Sequence, residues 1–77
     1  MSRLKLLPYR DLAQLAEMAG FQWVRRQGSP NTFRAPDGRV VVIPDHGSQD
    51  IVRPLLRKII RDMGLSVDEY KRLTEML

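Results

Sequence analysis

The sequence predicts an α+β fold, a helix followed by a three-stranded antiparallel sheet and two further helices, in a single domain spanning 1–77. Three observations predict it. Apolar residues recur at helical spacing near the start and again in two stretches after residue 51. Between those stretches the alternation switches to period two, and nearly every switch coincides with a Gly or Pro.

The first helix is expected over 9–19. Leu12, Leu15, Ala16 and Ala19 fall on one stripe, Pro8 suits a helix start and Gly20 a stop. From Phe21 to Gln27 the pattern alternates, with Phe21, Trp23 and Arg25 on one side and Gln22, Val24 and Arg26 on the other, so a strand is expected there. Gly28-Ser29-Pro30 reads as a turn, Asn31 to Ala35 as a second strand, and Pro36-Asp37-Gly38 as a tight hairpin. The third strand runs from Arg39 to Ile43. Its four consecutive β-branched residues predict a central or well-covered strand, ended by Pro44.

Asp45 to Asp50 forms a polar loop. Val52, Leu55, Leu56, Ile59, Ile60 and Met63 then predict a helix over 52–63, with Pro54 in its first turn and Gly64 as its stop. Ser66-Val67-Asp68-Glu69 is a capping box, in which the Ser hydroxyl and the Glu carboxylate each accept a backbone N–H at the helix start. The last helix, 67–77, has Val67, Tyr70, Leu73, Met76 and Leu77 as its apolar set, and the helices are expected to cover one face of the sheet.

Composition narrows the function. The chain has 77 residues, 13 Lys+Arg against 9 Asp+Glu, one His and no Cys. Disulfides, a Cys nucleophile and a Cys/His zinc site are excluded, and neither a P-loop nor a dinucleotide fingerprint occurs, so no metal and no small-molecule cofactor is expected. The longest apolar run, Val40 to Ile43, is far short of the ~20 residues that span a bilayer. A soluble, cytoplasmic protein with no membrane partner is therefore expected. The net charge of +4 favours polyanionic partners.

Much of that charge lines one helix. Arg53, Arg57 and Arg61 are spaced i, i+4, i+8 with Lys58 beside them, and Asp62 is the one acidic residue from Arg53 to Met63. A solvated face usually interleaves signs, whereas a ridge of one sign can follow a phosphate backbone. Arg26 and Arg34 are further candidate contacts, with Arg25 and Arg39 adding charge to the sheet, although alternation sends Arg25 and Arg26 to opposite faces. Trp23 and Phe33 offer stacking surfaces for bases, but two large aromatics in so small a domain are expected in its core. Gly28-Ser29-Pro30-Asn31 presents backbone N–H groups and a hydroxyl to a phosphate, and His46 is the single imidazole for acid–base work. Each of these loops also reads as an ordinary turn or a solvated polar stretch.

Taken in order, several segments resemble the HicA toxin family, also called YcfA-like. They are Ala19-Gly20-Phe21, a strand running into Gly28-Ser29, Phe33-Arg34-Ala35-Pro36-Asp37-Gly38-Arg39, Pro44-Asp45-His46, Leu55-Leu56-Arg57-Lys58-Ile59-Ile60, and Gly64-Leu65-Ser66 before an acidic helix start. The resemblance extends from about Tyr9 to Leu73. It implies a double-stranded-RNA-binding-like fold and a toxin of a type II toxin–antitoxin system, one that binds mRNA, cleaves it without metal and is neutralised by a HicB antitoxin. Such a fold reads RNA by shape and backbone.

The chain departs from the family pattern where it matters chemically. The resemblance implies a catalytic His directly after the Gly-Ser turn or one residue later, and those positions hold Pro30 and Asn31. Many members also carry His before Pro-Asp-Gly, here Ala35, while His46 matches a His often found after the third strand. Metal-free cleavage needs a base for the 2′-OH and an acid for the leaving oxygen, and neither Pro30 nor Asn31 supplies one. The sequence therefore admits a catalytically weakened RNA- or antitoxin-binding member, cleavage by His46 with Ser29 or an Arg, or an introduced substitution. Three departures together favour natural divergence.

Overall fold

The computed structural model describes residues 4–24 and 31–77. The elements are α1 (Tyr9–Met18), β1 (Gln22–Val24), β2 (Thr32–Arg34), β3 (Val40–Val42), α2 (Arg53–Met63) and α3 (Val67–Glu75). The strands form an antiparallel sheet in the order β1-β2-β3, with Trp23 opposite Phe33 and Phe33 opposite Val41. This is the predicted α+β arrangement of helix, sheet and two helices, each element a residue or more shorter than its periodicity. The part of the first predicted strand beyond Val24 lies outside the described residues.

Each boundary has a chemical cause. At the hairpin, the Ala35 N–H donates to the Arg39 carbonyl at 2.9 Å, and the Asp37 carboxylate accepts from the Arg39 N–H at 3.1 Å. These contacts close the turn that Pro-Asp-Gly encodes. Helix α2 ends at Gly64, whose φ of 75° is the left-handed conformation of a helix stop. A Cβ there would also collide with the Arg39 guanidinium, which donates to the Met63 carbonyl at 2.5 Å and lies 5.5 Å from the centroid of the Phe21 ring. Arg39 thus ties the hairpin to the negative end of α2 and stacks on the core.

Helix α3 starts with the predicted capping box. The Ser66 hydroxyl accepts from the Glu69 N–H at 3.1 Å, and the Glu69 carboxylate accepts from the Ser66 N–H at 2.8 Å. That second bond, more than any neighbouring charge, holds the Glu69 carboxyl below its ordinary value. Its stabilising contribution is present above the ordinary Glu range and disappears as pH falls through the depressed value. Ser66→Ala should cost about 1 kcal/mol and lower Tm by roughly 4–8 °C in a domain of this size, read by thermal unfolding followed by circular dichroism.

The core lies between the sheet and the helices. It joins Leu12, Leu15 and Ala16 of α1, Phe33 and Val41 of the strands, Leu56, Ile59, Ile60 and Met63 of α2, and Tyr70 of α3. Leu4 and Leu7 of the N-terminal segment join it too, which no periodicity announced. Their segment is held by hydrogen bonds: the Ile51 N–H donates to the Leu7 carbonyl at 2.9 Å, the Tyr70 hydroxyl to the Lys5 carbonyl at 2.5 Å, and Arg53 Nη1 to the Leu4 carbonyl at 2.7 Å.

Two expectations are corrected. Phe33 is core, but Trp23 is 50% exposed, because β1 is an edge strand whose ring at this position has protein on only part of its perimeter. Nor is β3 central or well covered. It is the other edge, and with helices on one face only, the alternation that buries Val41 leaves Val40 and Val42 facing out. No helix among the described residues is long and apolar enough to cross a membrane.

Candidate functional site

Helix α2 sorts its side chains by the 3.6-residue period. Leu56, Ile59, Ile60 and Met63 face the sheet, so Arg57, Lys58 and Arg61 are driven to the outside, where all three are exposed. Arg57 and Arg61 lie one turn apart on the same flank, about 6 Å along the axis. Neither has a hydrogen-bond or ion-pair partner among the described residues.

The other two cations predicted for this ridge are already engaged. Lys58 Nζ sits 2.8 Å from the Asp62 carboxylate, an exposed i, i+4 pair that competing phosphates can displace at little cost. Arg53 is half-buried at the start of the helix and spends a guanidinium N–H on the Leu4 carbonyl, so much of its function is to fasten the N-terminal segment. The free positive charge of α2 is therefore concentrated toward Arg57 and Arg61.

Arg34 does not join them. It pairs with Gln22 and Val40 in the register, one residue from the inward-facing Phe33, and so projects from the outer face of the sheet, away from the helices. Gly28, Ser29, Pro30 and Arg26 lie outside the described residues.

Asn31 and the loop after β3 lie at the far end of the sheet from the hairpin. Asn31 enters β2 with φ 62°, a left-handed conformation that Asn tolerates better than most side chains, and its carbonyl accepts the Ile43 N–H at 3.0 Å as β3 ends. Three residues on, His46 is exposed in the loop to α2. Its carbonyl accepts from the Gln49 N–H at 3.4 Å, and the neighbouring Asp45 carboxylate accepts from the Gly47 N–H at 2.9 Å. The topology thus gathers Asn31 and His46 at one end of the sheet. Ala35 sits at the other end, buried beside the hairpin.

Sequence reasoning missed the structural duties of Arg39 and Arg53, because a guanidinium bonded to a distant carbonyl leaves no local pattern. Only the position of Arg39 directly after Pro-Asp-Gly hinted at the turn contact. Among the described residues, no group of three or more His, Cys, Asp or Glu side chains is placed to hold a metal ion.

A sequence model of a protein family, described as the HicA toxin of bacterial toxin–antitoxin systems, matches residues 9–65 of the chain. No curated protein matches it.

Proposed function

The chain belongs to the HicA toxin family of bacterial toxin–antitoxin systems, and from that premise we propose that it is a toxin that binds mRNA along the Arg57–Arg61 flank of α2 and is neutralised by a HicB-like antitoxin. The observation that carries the RNA assignment is this pair of exposed guanidiniums with no partner among the described residues, on a helix whose other face is locked into the core. Arg is suited to the task because its planar fork meets phosphate oxygens in pairs. Binding of this kind contacts backbone rather than base edges, so it is broad in sequence and steep in salt.

Cleavage is the weaker half of the activity. Metal-free scission of RNA moves one proton off the 2′-OH and delivers another to the leaving oxygen, each step being worth about 10²–10⁴-fold when a positioned side chain performs it. The chain has one imidazole, His46, and Asn31 at the opposing loop neither takes nor gives a proton near neutral pH. We therefore read the parent chain as an RNA binder with at most slow cleavage by His46, with Ser29 or an Arg as its partner.

The test is RNA retardation by the purified chain. Arg57→Glu combined with Arg61→Glu should weaken binding by at least about tenfold and flatten the slope of log affinity against log salt by about 1.4, the loss of two single-strand phosphate contacts. Unchanged affinity and slope across roughly 50–200 mM salt would overturn the assignment.

A further inference from the structure

Among the described residues, no helix covers the outer face of the sheet. Its described residues are Gln22 and Val24 of β1, Thr32 and Arg34 of β2, and Val40 and Val42 of β3. Val40 is 44% and Val42 56% exposed, whereas Thr32, the short central member of the row Val24–Thr32–Val42, is buried. Arg34 lies beside Val24 and Val40, and a shallow hollow lined by Gln22, Trp23, Val24, Arg34, Ala35 and Pro36 adjoins it.

Two features set this face apart from an ordinary solvated surface. A sheet edge that stays in water is normally guarded by Lys, Pro or a bulge, and Val40-Val41-Val42 carries none of these, while its outer edge has no neighbouring strand among the described residues. Arg34 is also the one charged side chain in the three strands, and it has no ion-pair or hydrogen-bond partner among the described residues. Among the described residues, the face thus carries three valines, Gln22, Thr32 and a single unanswered cation.

We infer that this outer sheet face, centred on Arg34, Val40 and Val42, is where the antitoxin docks, through an apolar segment carrying a carboxylate that meets the Arg34 guanidinium. The inference rests on the reading above only in taking the antitoxin as the partner. Among the described residues of this face a single cation stands beside valines, which suits one carboxylate and is too little for a polynucleotide backbone. A second copy of the chain placed on the face by a twofold axis would bring an Arg34 from each copy into one dry interface, which disfavours it. Because α2 packs on the inner face, Arg57 and Arg61 lie on the opposite side of the domain, and antitoxin docking does not cover them directly.

The experiment is titration of the full chain with the purified product of the gene adjacent to its own, the position the antitoxin is expected to take, by calorimetry. Arg34→Glu and Val42→Lys should each weaken the complex by at least about tenfold, while Arg34→Lys stays within about threefold of the parent. Both positions are exposed, and an unchanged melting curve confirms that the fold is intact. Arg57→Glu with Arg61→Glu should leave antitoxin binding within about twofold.

Undiminished binding by both sheet variants overturns the inference, as does loss confined to the α2 variant or failure of the parent chain to bind the neighbouring gene's product. A parent dimer in sedimentation that Val42→Lys dissociates assigns the face to a second copy instead and also overturns it. Loss of RNA retardation on Arg34→Glu alone, with antitoxin binding retained, does the same in favour of RNA. RNA binding that survives the α2 variant defeats the functional reading of that helix while leaving this inference standing.

Discussion

Asn31→His should raise metal-free cleavage of RNA by roughly 10²-fold or more, because it supplies the second proton-transfer group that the chain lacks. The backbone permits the change: position 31 has φ 62°, and His is among the few side chains enriched in that region. The hydrogen bond that position 31 contributes to the sheet comes from its carbonyl, accepting from Ile43, so the side chain can change without undoing the ladder. The new imidazole would stand in the loop entering β2, at the end of the sheet from which the loop bearing His46 departs. One imidazole can then act as base while the other acts as acid, and the rate should follow a bell-shaped pH profile that collapses when His46→Ala is added. The measurement is cleavage of labelled RNA in chelator. An Asn31→His protein that binds RNA but cuts no faster than its parent removes this end of the sheet from consideration as the catalytic centre.

Tyr70 should prove the most sensitive position for stability. Its ring is fully buried, and its hydroxyl holds the Lys5 carbonyl, so one side chain joins α3 to the N-terminal segment that carries Leu4 and Leu7. Tyr70→Ala should cost about 3–5 kcal/mol, a large share of the roughly 4–12 kcal/mol available to a domain of this size. Tyr70→Phe keeps the ring, strands the carbonyl, and should cost about 1–3 kcal/mol. Urea unfolding measures both. Burial, assisted by the negative charge of Asp50, pushes the Tyr70 hydroxyl up from 10.0 to about 12. Because the native-state value is raised, the neutral phenol's contribution is complete below pH 10 and is lost as pH climbs toward about 12. The parent protein should therefore lose stability faster than Tyr70→Phe across that alkaline window. Parallel curves would show that the hydroxyl is not held in its protonated, hydrogen-bonded form.

Much of the architecture could be read locally. The stripe of Leu12, Leu15 and Ala16, the row from Leu56 to Met63, the Pro-Asp-Gly hairpin and the Ser66–Glu69 box each depend on neighbours within a few residues, and each occurs where its spacing put it. The exposed pair Arg57 and Arg61 was legible for the same reason, since burying one face of a helix dictates the other. Trp23, Val40 and Val42 were not. Their residue types favour burial, and the sequence has no marker for which strand becomes an edge or which sheet face receives the helices.

The site divides along the same line. Length, charge and the count of one imidazole were settled by the sequence alone, and so were the α-β-β-β-α-α order and the family likeness over residues 9–65. The tertiary structure decided which cations are free. Arg39 and Arg53 are committed to carbonyls 24 and 49 residues away, and Arg34 is parted from the α2 arginines by the thickness of the sheet. The reason is physical: a guanidinium's charge belongs to the residue, but whether that charge remains available depends on which backbone oxygens the fold brings within reach, and only long-range packing determines that.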